Sequence, residues 1–340
     1  MRRSLIVIIT VITLFSAASC ISVEDIALDS AADILTSGSG GMNIFTADDD
    51  PQLIADALPL ALKLYEMILG SRPDRADLQY ATGKNFVMYA NAFIQTPAGM
   101  LPDEEYRKQE KMIIRSKKMY IRGRDYILKG IDLTHPGFST AIREKRLDDA
   151  MLMFTEPNDA GMLYWAASGW IGAFSCDPFD FELANTLYIP AAMLLKALEL
   201  DGEFSNGAIH DILIQIYSSL PYSHIQKAAA DAPLTIGKFQ KEYYKSNNTG
   251  DSPGDKALFH FNEALRLSGG LNPGTYISYA TSISVKKQDY NEFKDLLGRA
   301  LSISASDVPE NELVITIYQD KARWMLENAE NFFILDIEDY

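Results

Sequence analysis

The chain has four histidines, and histidine is the residue type that most often binds metal or transfers protons. They are His135, His210, His224 and His260. None belongs to an H-E-x-x-H motif, and the chain has no C-x-x-C pair that would supply further metal ligands. His210 and His260 fall within helical stretches, where a histidine more often packs or caps a helix than binds a ligand. We therefore predict structural roles for these two side chains, and no metal site.

A group of acidic residues follows the second cysteine of the chain. Asp177, Asp180 and Glu182 have the residue types of an acid–base pair or a calcium loop, but the glycine of an EF-hand loop is missing. We interpret the group as the cap of a helix that begins near residue 181. Cys176 has no nearby histidine, and the chain has no Gly-x-Ser-x-Gly motif. The sequence therefore predicts no catalytic residues, and we expect a protein that is not an enzyme and needs no cofactor.

Aromatic and small residues are interleaved in the segment MLYWAASGWIGAF, residues 162–174. The small residues allow a neighbouring helix to approach closely, or they leave space for a ligand. A packed core is the simpler interpretation. However, Tyr164, Trp165 and Trp170 carry polar O–H and N–H groups on apolar rings, a combination that suits a ligand groove. The sequence leaves both interpretations open.

Helices must position these residues, because strand-like alternation is scarce and Gly, Pro or Asn interrupts the chain at short intervals. A pattern of small, aromatic or leucine, and small residues recurs in Ala61–Leu69, Ile189–Leu198, Lys256–Leu265 and Asp289–Leu301. The separations are near multiples of about 34 residues, the tetratricopeptide (TPR) period. We therefore predict an all-α fold, a TPR-like helical-repeat array (α-solenoid) with additional long helices. The predicted helices span residues 51–70, 75–95, 103–132, 138–154, 158–175, 181–200, 206–219, 222–230, 235–246, 253–268, 273–286, 290–304 and 308–334.

In such an array the first helix of each pair lines the concave surface, and small residues near its middle let the second helix cross closely. Gly83 and Ala280 are placed for such crossings. Polar, aromatic and basic side chains on this surface favour a carboxylated or peptide-like ligand. The side chains that we expect to bind a ligand or partner are Tyr80, Lys84, Tyr164, Trp165, Trp170, Ser278, Ser282 and Lys286.

The first twenty residues have the pattern of a targeting segment. Arg2 and Arg3 precede an apolar run, Leu5–Phe15, that is too short to span a bilayer, and small residues then lead to Cys20. This order resembles a bacterial lipobox, so we predict cleavage before Cys20 and attachment of diacylglycerol and an N-acyl chain such as palmitate. An ordinary signal peptide with an incidental cysteine is the alternative. The predicted organisation is a signal peptide at 1–19, a lipidated N-terminal tether with a short helix at 20–47, and a TPR-like α-helical domain at 48–340.

The chain is acidic, with a formal net charge of −15. Residues 1–19 hold two arginines and no acidic residue, so their removal leaves a net charge of −17. This balance argues against nucleic acid as a partner and against electrostatic adsorption to anionic lipid. We therefore expect any membrane association to depend on the lipid anchor. Cys176 would be the one unmodified cysteine, so no internal disulfide is expected.

Six segments of the chain carry a family resemblance. They are DDDPQLIADALPLALKLYEMIL, LYWAASGWIGAF, KALELDGEFSNGAIHDILIQIYSSLP, DKALFHFNEALRLSGG, YATSISVKKQDYNEFKDLLGRAL and DKARWMLENAENFF. In the same order they resemble the TatT family, the TPR-containing T-components of tripartite ATP-independent periplasmic (TRAP) transporters. The resemblance extends from about Asp48 to Phe333 and is close to the spirochaetal prototype of the family.

The resemblance implies a function. It implies a periplasmic lipoprotein that forms a homotrimer, binds the substrate-binding (DctP-like) protein of a TRAP transporter, and passes a hydrophobic or carboxylated ligand through a cavity or pore. The family offers no catalytic residue to carry over. Ile21 and Ser22 lack the aspartate that retains lipoproteins in the inner membrane of enteric bacteria, so we expect attachment to the outer membrane, facing the periplasm. The alternative is a TPR scaffold lipoprotein for outer-membrane or cell-envelope assembly.

Overall fold

The computed structural model describes residues 23–37 and 43–334. Every regular element within these ranges is helical, so the prediction of an all-α fold is confirmed. The predicted signal peptide and the lipid attachment at Cys20 lie outside the described residues, as do residues 38–42 of the predicted tether.

The helices follow one another through short connections. In chain order they are α1 (Val23–Thr36), α2 (Asn43–Thr46), α3 (Pro51–Ser71), α4 (Ala76–Ala90), α5 (Thr96–Gly99), α6 (Tyr106–Thr134), α7 (Phe138–Arg143), α8 (Leu147–Leu152), α9 (Ala160–Cys176) and α10 (Phe181–Asn185). They continue with α11 (Tyr188–Leu200), α12 (Phe204–Ser219), α13 (Tyr222–Asp231), α14 (Lys238–Ser246), α15 (Pro253–Ser268), α16 (Pro273–Tyr279), α17 (Val285–Lys287), α18 (Tyr290–Ser302) and α19 (Glu312–Glu327). Wider π-helical turns occur at Asn91–Gln95, Pro233–Gly237 and Ala280–Ser284, and 3₁₀ turns at Asp103–Glu105, Pro157–Asp159, Ala305–Asp307, Pro309–Asn311 and Ala329–Asn331.

Capping residues in the sequence determine where helices begin. Asp50 precedes α3, and its carboxylate accepts hydrogen bonds from the free backbone N–H groups of Gln52 and Leu53, both at 3.0 Å. Ser252 has the same role before α15, where its hydroxyl accepts from the N–H of Asp255 at 3.1 Å. The predicted helix starts at 51 and 253 are therefore confirmed.

The prediction of one helix over residues 138–154 is wrong. Lys145 adopts a left-handed conformation with φ 58°, and the N–H of Arg146 donates to the carbonyl of Ala141 at 2.8 Å. This bond ends α7 and lets the chain restart as α8. Glycine usually occupies such a position, so a lysine there gives no signal in the sequence.

Two further predicted helices are too long. The helix predicted over 181–200 breaks between α10 and α11, where the hydroxyl of Thr186 donates to the carbonyl of Glu182 at 2.8 Å. The helix predicted over 308–334 is reduced to α19, because Pro309 lies in a preceding 3₁₀ turn and a second 3₁₀ turn follows the helix.

Glycines set how closely the long helices approach each other. A β-carbon on Gly83 would lie 2.4 Å from the carbonyl oxygen of Gly123, so α4 and α6 cross in direct backbone contact. The prediction of a close crossing at Gly83 is confirmed. Further along, the hydroxyl of Ser116 donates to the carbonyl of Ala90 at 3.0 Å, so the two helices are antiparallel.

The two ends of the array meet. Leu313 of α19 is 4% exposed and shares an apolar cluster with Ile54, Leu58 and Leu62 of α3. Between these ends, α9 contacts α4 and α12, while α16 contacts α12 and α19. The array therefore curves back on itself, and α4, α9, α12, α16 and α19 surround a shared interior.

Candidate ligand chamber

Aromatic residues from three helices meet on one wall of this interior. Tyr80 of α4 lies over the start of α9, since a β-carbon on Gly161 would be 2.8 Å from the Tyr80 hydroxyl. The same β-carbon would be 3.4 Å from the ring of Phe204, at the start of α12. Tyr164, one turn further along α9, packs on the Phe204 ring with a centroid separation of 5.2 Å.

The same wall carries a lysine. Lys84 lies one turn after Tyr80, and its ammonium group is 5.6 Å from the centroid of the Trp165 ring. Trp165 packs edge-on against Tyr164 at a centroid separation of 5.1 Å. The structure therefore brings together Tyr80, Lys84, Tyr164 and Trp165, four of the residues that the sequence analysis singled out.

An aspartate and a tyrosine from α12 and α19 face the same space. The Asp211 carboxylate accepts from the Thr275 hydroxyl at 2.6 Å and from the Asn272 amide at 2.7 Å. Burial outweighs these hydrogen bonds and raises the pKa of Asp211 to about 7. Burial and then the Asp211 charge raise the pKa of Tyr318 to about 12. Burial and then the charges of Tyr318 and Asp211 raise the pKa of Tyr164, as expected of three groups that lie near one another.

Lys321 follows Tyr318 by one turn of α19. Burial lowers the pKa of both Lys84 and Lys321. Neither ammonium group has a hydrogen bond or an acidic partner among the described residues. The Tyr80 and Tyr318 hydroxyls likewise lack hydrogen-bond partners there. We name these inward-facing, partly exposed residues the chamber cluster: Tyr80, Lys84, Tyr164, Trp165, Asp211, Tyr318 and Lys321.

The residues of the chamber cluster are partly exposed, yet burial is the main cause of the pKa shifts of its titratable groups. Ammonium groups and phenol hydroxyls are hydrogen-bond donors, and here they lack acceptors from the protein. An anion would satisfy them, and the rings of Tyr164 and Trp165 provide apolar surface beside it. The chamber is therefore suited to a molecule that carries a carboxylate on an apolar body.

Trp170, which we expected to bind a ligand or partner, lies apart from the chamber cluster. Five residues separate it from Trp165, a rotation of about 140° around α9. Its indole N–H donates to the Thr186 hydroxyl at 3.1 Å, and the Arg124 guanidinium lies 4.7 Å from the ring centroid. Trp170 therefore belongs to the packing of α9 against α6 and the chain around Thr186.

The expectation that Ser282 projects from the concave surface is wrong, since this residue is 6% exposed. It lies in the π-helical turn between α16 and α17, and the extra residue in that turn rotates the following side chains. The Ser278 hydroxyl accepts from the Gln215 amide at 3.1 Å, and Lys286 donates to the backbone carbonyl of Ser218. Ser278 and Lys286 therefore contact α12, outside the chamber cluster.

Sequence reasoning did not find Asp211, Tyr318 or Lys321. Each lies on an amphipathic helix and has the appearance of an ordinary surface residue in the sequence. Which face of α19 turns inward depends on its docking against α3, a contact between residues about 250 positions apart. The sequence of α19 alone does not indicate that contact.

His210 and His260 form a separate buried network between α12 and α15. Their Nδ1 atoms are 2.8 Å apart, and His260 Nε2 is 2.7 Å from the hydroxyl of Tyr244. That hydroxyl lies 2.8 Å from the hydroxyl of Tyr217. Burial lowers the pKa of His210 to about 4, and burial and then the charge of His210 lower that of His260 well below its usual value. Both rings are buried and hydrogen-bonded to other side chains, so the prediction of structural roles is confirmed.

The acidic group near Cys176 is a helix cap. The Asp180 carboxylate accepts from the N–H of Leu183 at 3.0 Å, as predicted. Lys117 of α6 pairs with Asp177 and Asp180 at 2.8 Å and 2.7 Å, which fixes the cap against the long helix. Across the part of the chain that the structure describes, no three metal-ligating side chains come together.

These features define an all-α protein whose helices surround a group of inward-facing aromatic, basic and acidic side chains. Of the helices in the described ranges, none is both long and apolar enough to cross a bilayer. Residues 47–225 and 238–333 match the TRAP transporter T-component family. The chain belongs to this family, so the resemblance found in the sequence is confirmed. It is also similar to an uncharacterized protein of the spirochaete Treponema pallidum (strain Nichols), with 31% identity over 294 residues, 86% of this chain and 83% of the relative.

Proposed function

We propose that this T-component is a periplasmic lipoprotein that binds the substrate-binding protein of its TRAP transporter and holds an apolar carboxylate in its chamber. Family membership supports the transport role. The observation that supports the ligand is the pair of partly buried ammonium groups, Lys84 and Lys321, which have no acidic partner among the described residues. A carboxylate that the TRAP transporter carries would supply the negative charge that these two lysines lack.

Energetics favour this ligand class. Burial disfavours the charged form of each lysine, and a bound anion restores it. A hydrogen bond between charged groups contributes about 1.5–3 kcal/mol, whereas an uncharged alcohol gives about half as much. The chamber should therefore distinguish a carboxylate from an alcohol of the same length.

The lipid anchor on Cys20, the homotrimer and the outer-membrane location are parts of the same proposal and rest on the family resemblance. Cys20 is three residues before α1 begins at Val23. A chain of that length reaches about 10 Å at most, so a lipidated protein would stand close to the bilayer. Mass spectrometry of the mature protein and membrane fractionation test these points.

The partner is tested by isothermal titration calorimetry of the mature chain with a TRAP substrate-binding protein from the same organism. We expect a complex with a dissociation constant in the micromolar range or below, typical of a specific interface between soluble domains. Absence of a complex at about 100 µM protein would refute this part of the proposal.

The ligand is tested with dodecanoate and, as a neutral probe of equal length, dodecanol. We expect the wild-type chain to bind dodecanoate at least about tenfold more tightly, as expected for the loss of one charged hydrogen bond. Lys84→Met and Lys321→Met should weaken dodecanoate binding more than dodecanol binding. Lys294→Met is the matched control, since Lys294 lies over Tyr290 on α18, outside the chamber cluster. Equal binding of the two probes would refute the ligand class.

A further inference from the structure

The net charge of α6 is opposite in sign to the net charge of the whole chain. Its 29 residues hold nine basic and three acidic side chains, a net charge of +6, whereas the whole chain has a formal net charge of −15. The residues outside α6 therefore carry a net charge of −21. Such a separation of charge creates a positive surface on an otherwise acidic molecule.

Exposed basic residues form a single line on the N-terminal half of α6. Arg107, Lys111, Arg115 and Lys118 follow one another at intervals of three or four residues, which is the spacing of one helix face, and all four are exposed. Ile114 lies among them and is 50% exposed. We name these five residues the basic stripe. It is about 17 Å long.

The protein itself does not neutralise the basic stripe. Arg115 contacts Tyr89, with 3.0 Å to the hydroxyl and 5.5 Å to the ring centroid. Arg107, Lys111 and Lys118 have no ion pair or hydrogen bond among the described residues. Other basic residues of α6 do have acidic partners, in the pairs Lys108–Glu105, Lys117–Asp177 and Arg122–Glu66. The charges of the basic stripe therefore remain free to bind another molecule.

The chain enters the fold at one end of the helix layer formed by α1, α3 and α4. The Tyr65 hydroxyl donates to the carbonyl of Leu35 at 2.9 Å, while Arg72 pairs with Asp29 at 2.6 Å. In these two pairs the later residue, in or directly after α3, therefore contacts the earlier residue of α1, so the two helices are antiparallel. α1 therefore begins beside the end of α3 and the start of α4.

The basic stripe lies at the other end of this layer. A β-carbon on Gly130 of α6 would be 3.1 Å from the carbonyl of Ala76, so the C-terminal end of α6 lies where α4 starts. Lys111 is about 28 Å from Gly130 along the helix axis. A lipid anchor at Cys20 would hold the opposite end near the bilayer. This placement favours a protein over the membrane as the partner of the basic stripe.

We propose that the basic stripe is the docking surface for an acidic face of the transporter's substrate-binding protein, an inference that rests on the proposed function. Arginine beside an exposed apolar residue is typical of protein interfaces. An acidic partner is repelled by the rest of this chain and attracted to α6, so the stripe fixes the docking orientation and accelerates association.

The test combines charge reversal with salt dependence. The double variant Lys111→Glu/Lys118→Glu is compared with Lys238→Glu/Lys241→Glu, which reverses two exposed lysines on α14 and changes the net charge by the same amount. Binding of the substrate-binding protein is measured by biolayer interferometry at about 50 mM and 300 mM salt. We expect the stripe variant to bind at least about tenfold more weakly, chiefly through slower association, and the α14 variant to bind as the wild type does. Wild-type affinity should fall at the higher salt concentration.

The outcomes separate the two proposals. Tight wild-type binding that neither the stripe variant nor salt alters would overturn the docking surface and leave the proposed function intact. No wild-type binding would overturn both. Loss of a homo-oligomer in the stripe variant, or wild-type binding to phosphatidylglycerol vesicles that the stripe variant loses, would assign the stripe to a second copy or to the membrane and overturn this inference. Matching circular dichroism spectra of all variants exclude misfolding as the cause.

Discussion

Substitution of Asp211 by asparagine tests the electrostatics of the chamber through stability. The carboxyl group has an ordinary pKa of 3.8, and burial raises it to about 7 in the folded protein. Between pH 7 and pH 5 the folded protein therefore takes up a proton that the unfolded chain does not, so this group favours folding more strongly as the pH falls. The pKa difference corresponds to a gain of about 2 kcal/mol in the free energy of unfolding over this interval.

His210 acts in the opposite direction. Its pKa falls from 6.5 in the unfolded chain to about 4 in the folded protein. The unfolded chain therefore binds a proton first, and the free energy of unfolding falls by about 2 kcal/mol between pH 7 and pH 5. His260, with a pKa lowered still further by burial, adds to this loss. In the wild type the gain from Asp211 offsets much of the loss from the histidines.

The Asp211→Asn variant lacks the stability that Asp211 gains as the pH falls, and it keeps the stability loss from His210 and His260. We expect its free energy of unfolding to fall by about 2 kcal/mol more than that of the wild type between pH 7 and pH 5. Urea unfolding followed by circular dichroism at both pH values measures this difference. Asp251→Asn, at an exposed position, serves as the control and should follow the wild type. Equal pH dependence of the Asp211→Asn variant and the wild type would refute the assignment of a buried, protonated Asp211.

The same charge should affect ligand binding, because Asp211 becomes negative as the pH rises through about 7 and then repels a carboxylate. We expect dodecanoate affinity to rise between pH 8 and pH 6 in the wild type and to stay constant in Asp211→Asn, and calorimetry that finds parallel curves would contradict this. Gly83→Ala should lower the free energy of unfolding by about 1–3 kcal/mol, since the new methyl group would overlap the Gly123 carbonyl. Gly99→Ala, with open space around the site, should cause no loss in the same urea experiment, and a similar loss in both would show that the crossing is not tight. His260→Phe should cost about 2 kcal/mol in urea unfolding at pH 7, because it leaves buried polar groups without partners, and an unchanged midpoint would refute the network.

Local chemistry in the sequence predicted a large part of the fold. Asp50 and Pro51 mark the start of α3, and Ser252 marks that of α15, because capping depends on residues within one turn. Gly83 marked a close crossing because only glycine permits backbone contact there. Lys145 ends α7 without such a mark, since the left-handed conformation that it adopts is usually taken by glycine.

The chamber was only half predictable. Tyr80 and Lys84 could be found because they lie on the predicted first helix of a pair, and Trp165 because it lies in the segment where aromatic and small residues are interleaved. Asp211 and Lys321 could not, because the faces of α12 and α19 that turn inward depend on contacts between distant segments. A π-helical turn moved Ser282 into the core, and nothing in the sequence indicates the extra residue in that turn.

The central claim is that the chamber holds a carboxylate through its unpaired lysines. A crystal structure of the mature chain grown with dodecanoate tests it most directly. We predict electron density for the alkyl chain against Tyr164 and Trp165, with a carboxylate oxygen about 3 Å from the ammonium nitrogen of Lys84 or Lys321. Dodecanoate bound only outside the chamber, or bound inside it with its carboxylate away from both lysines, would contradict the claim.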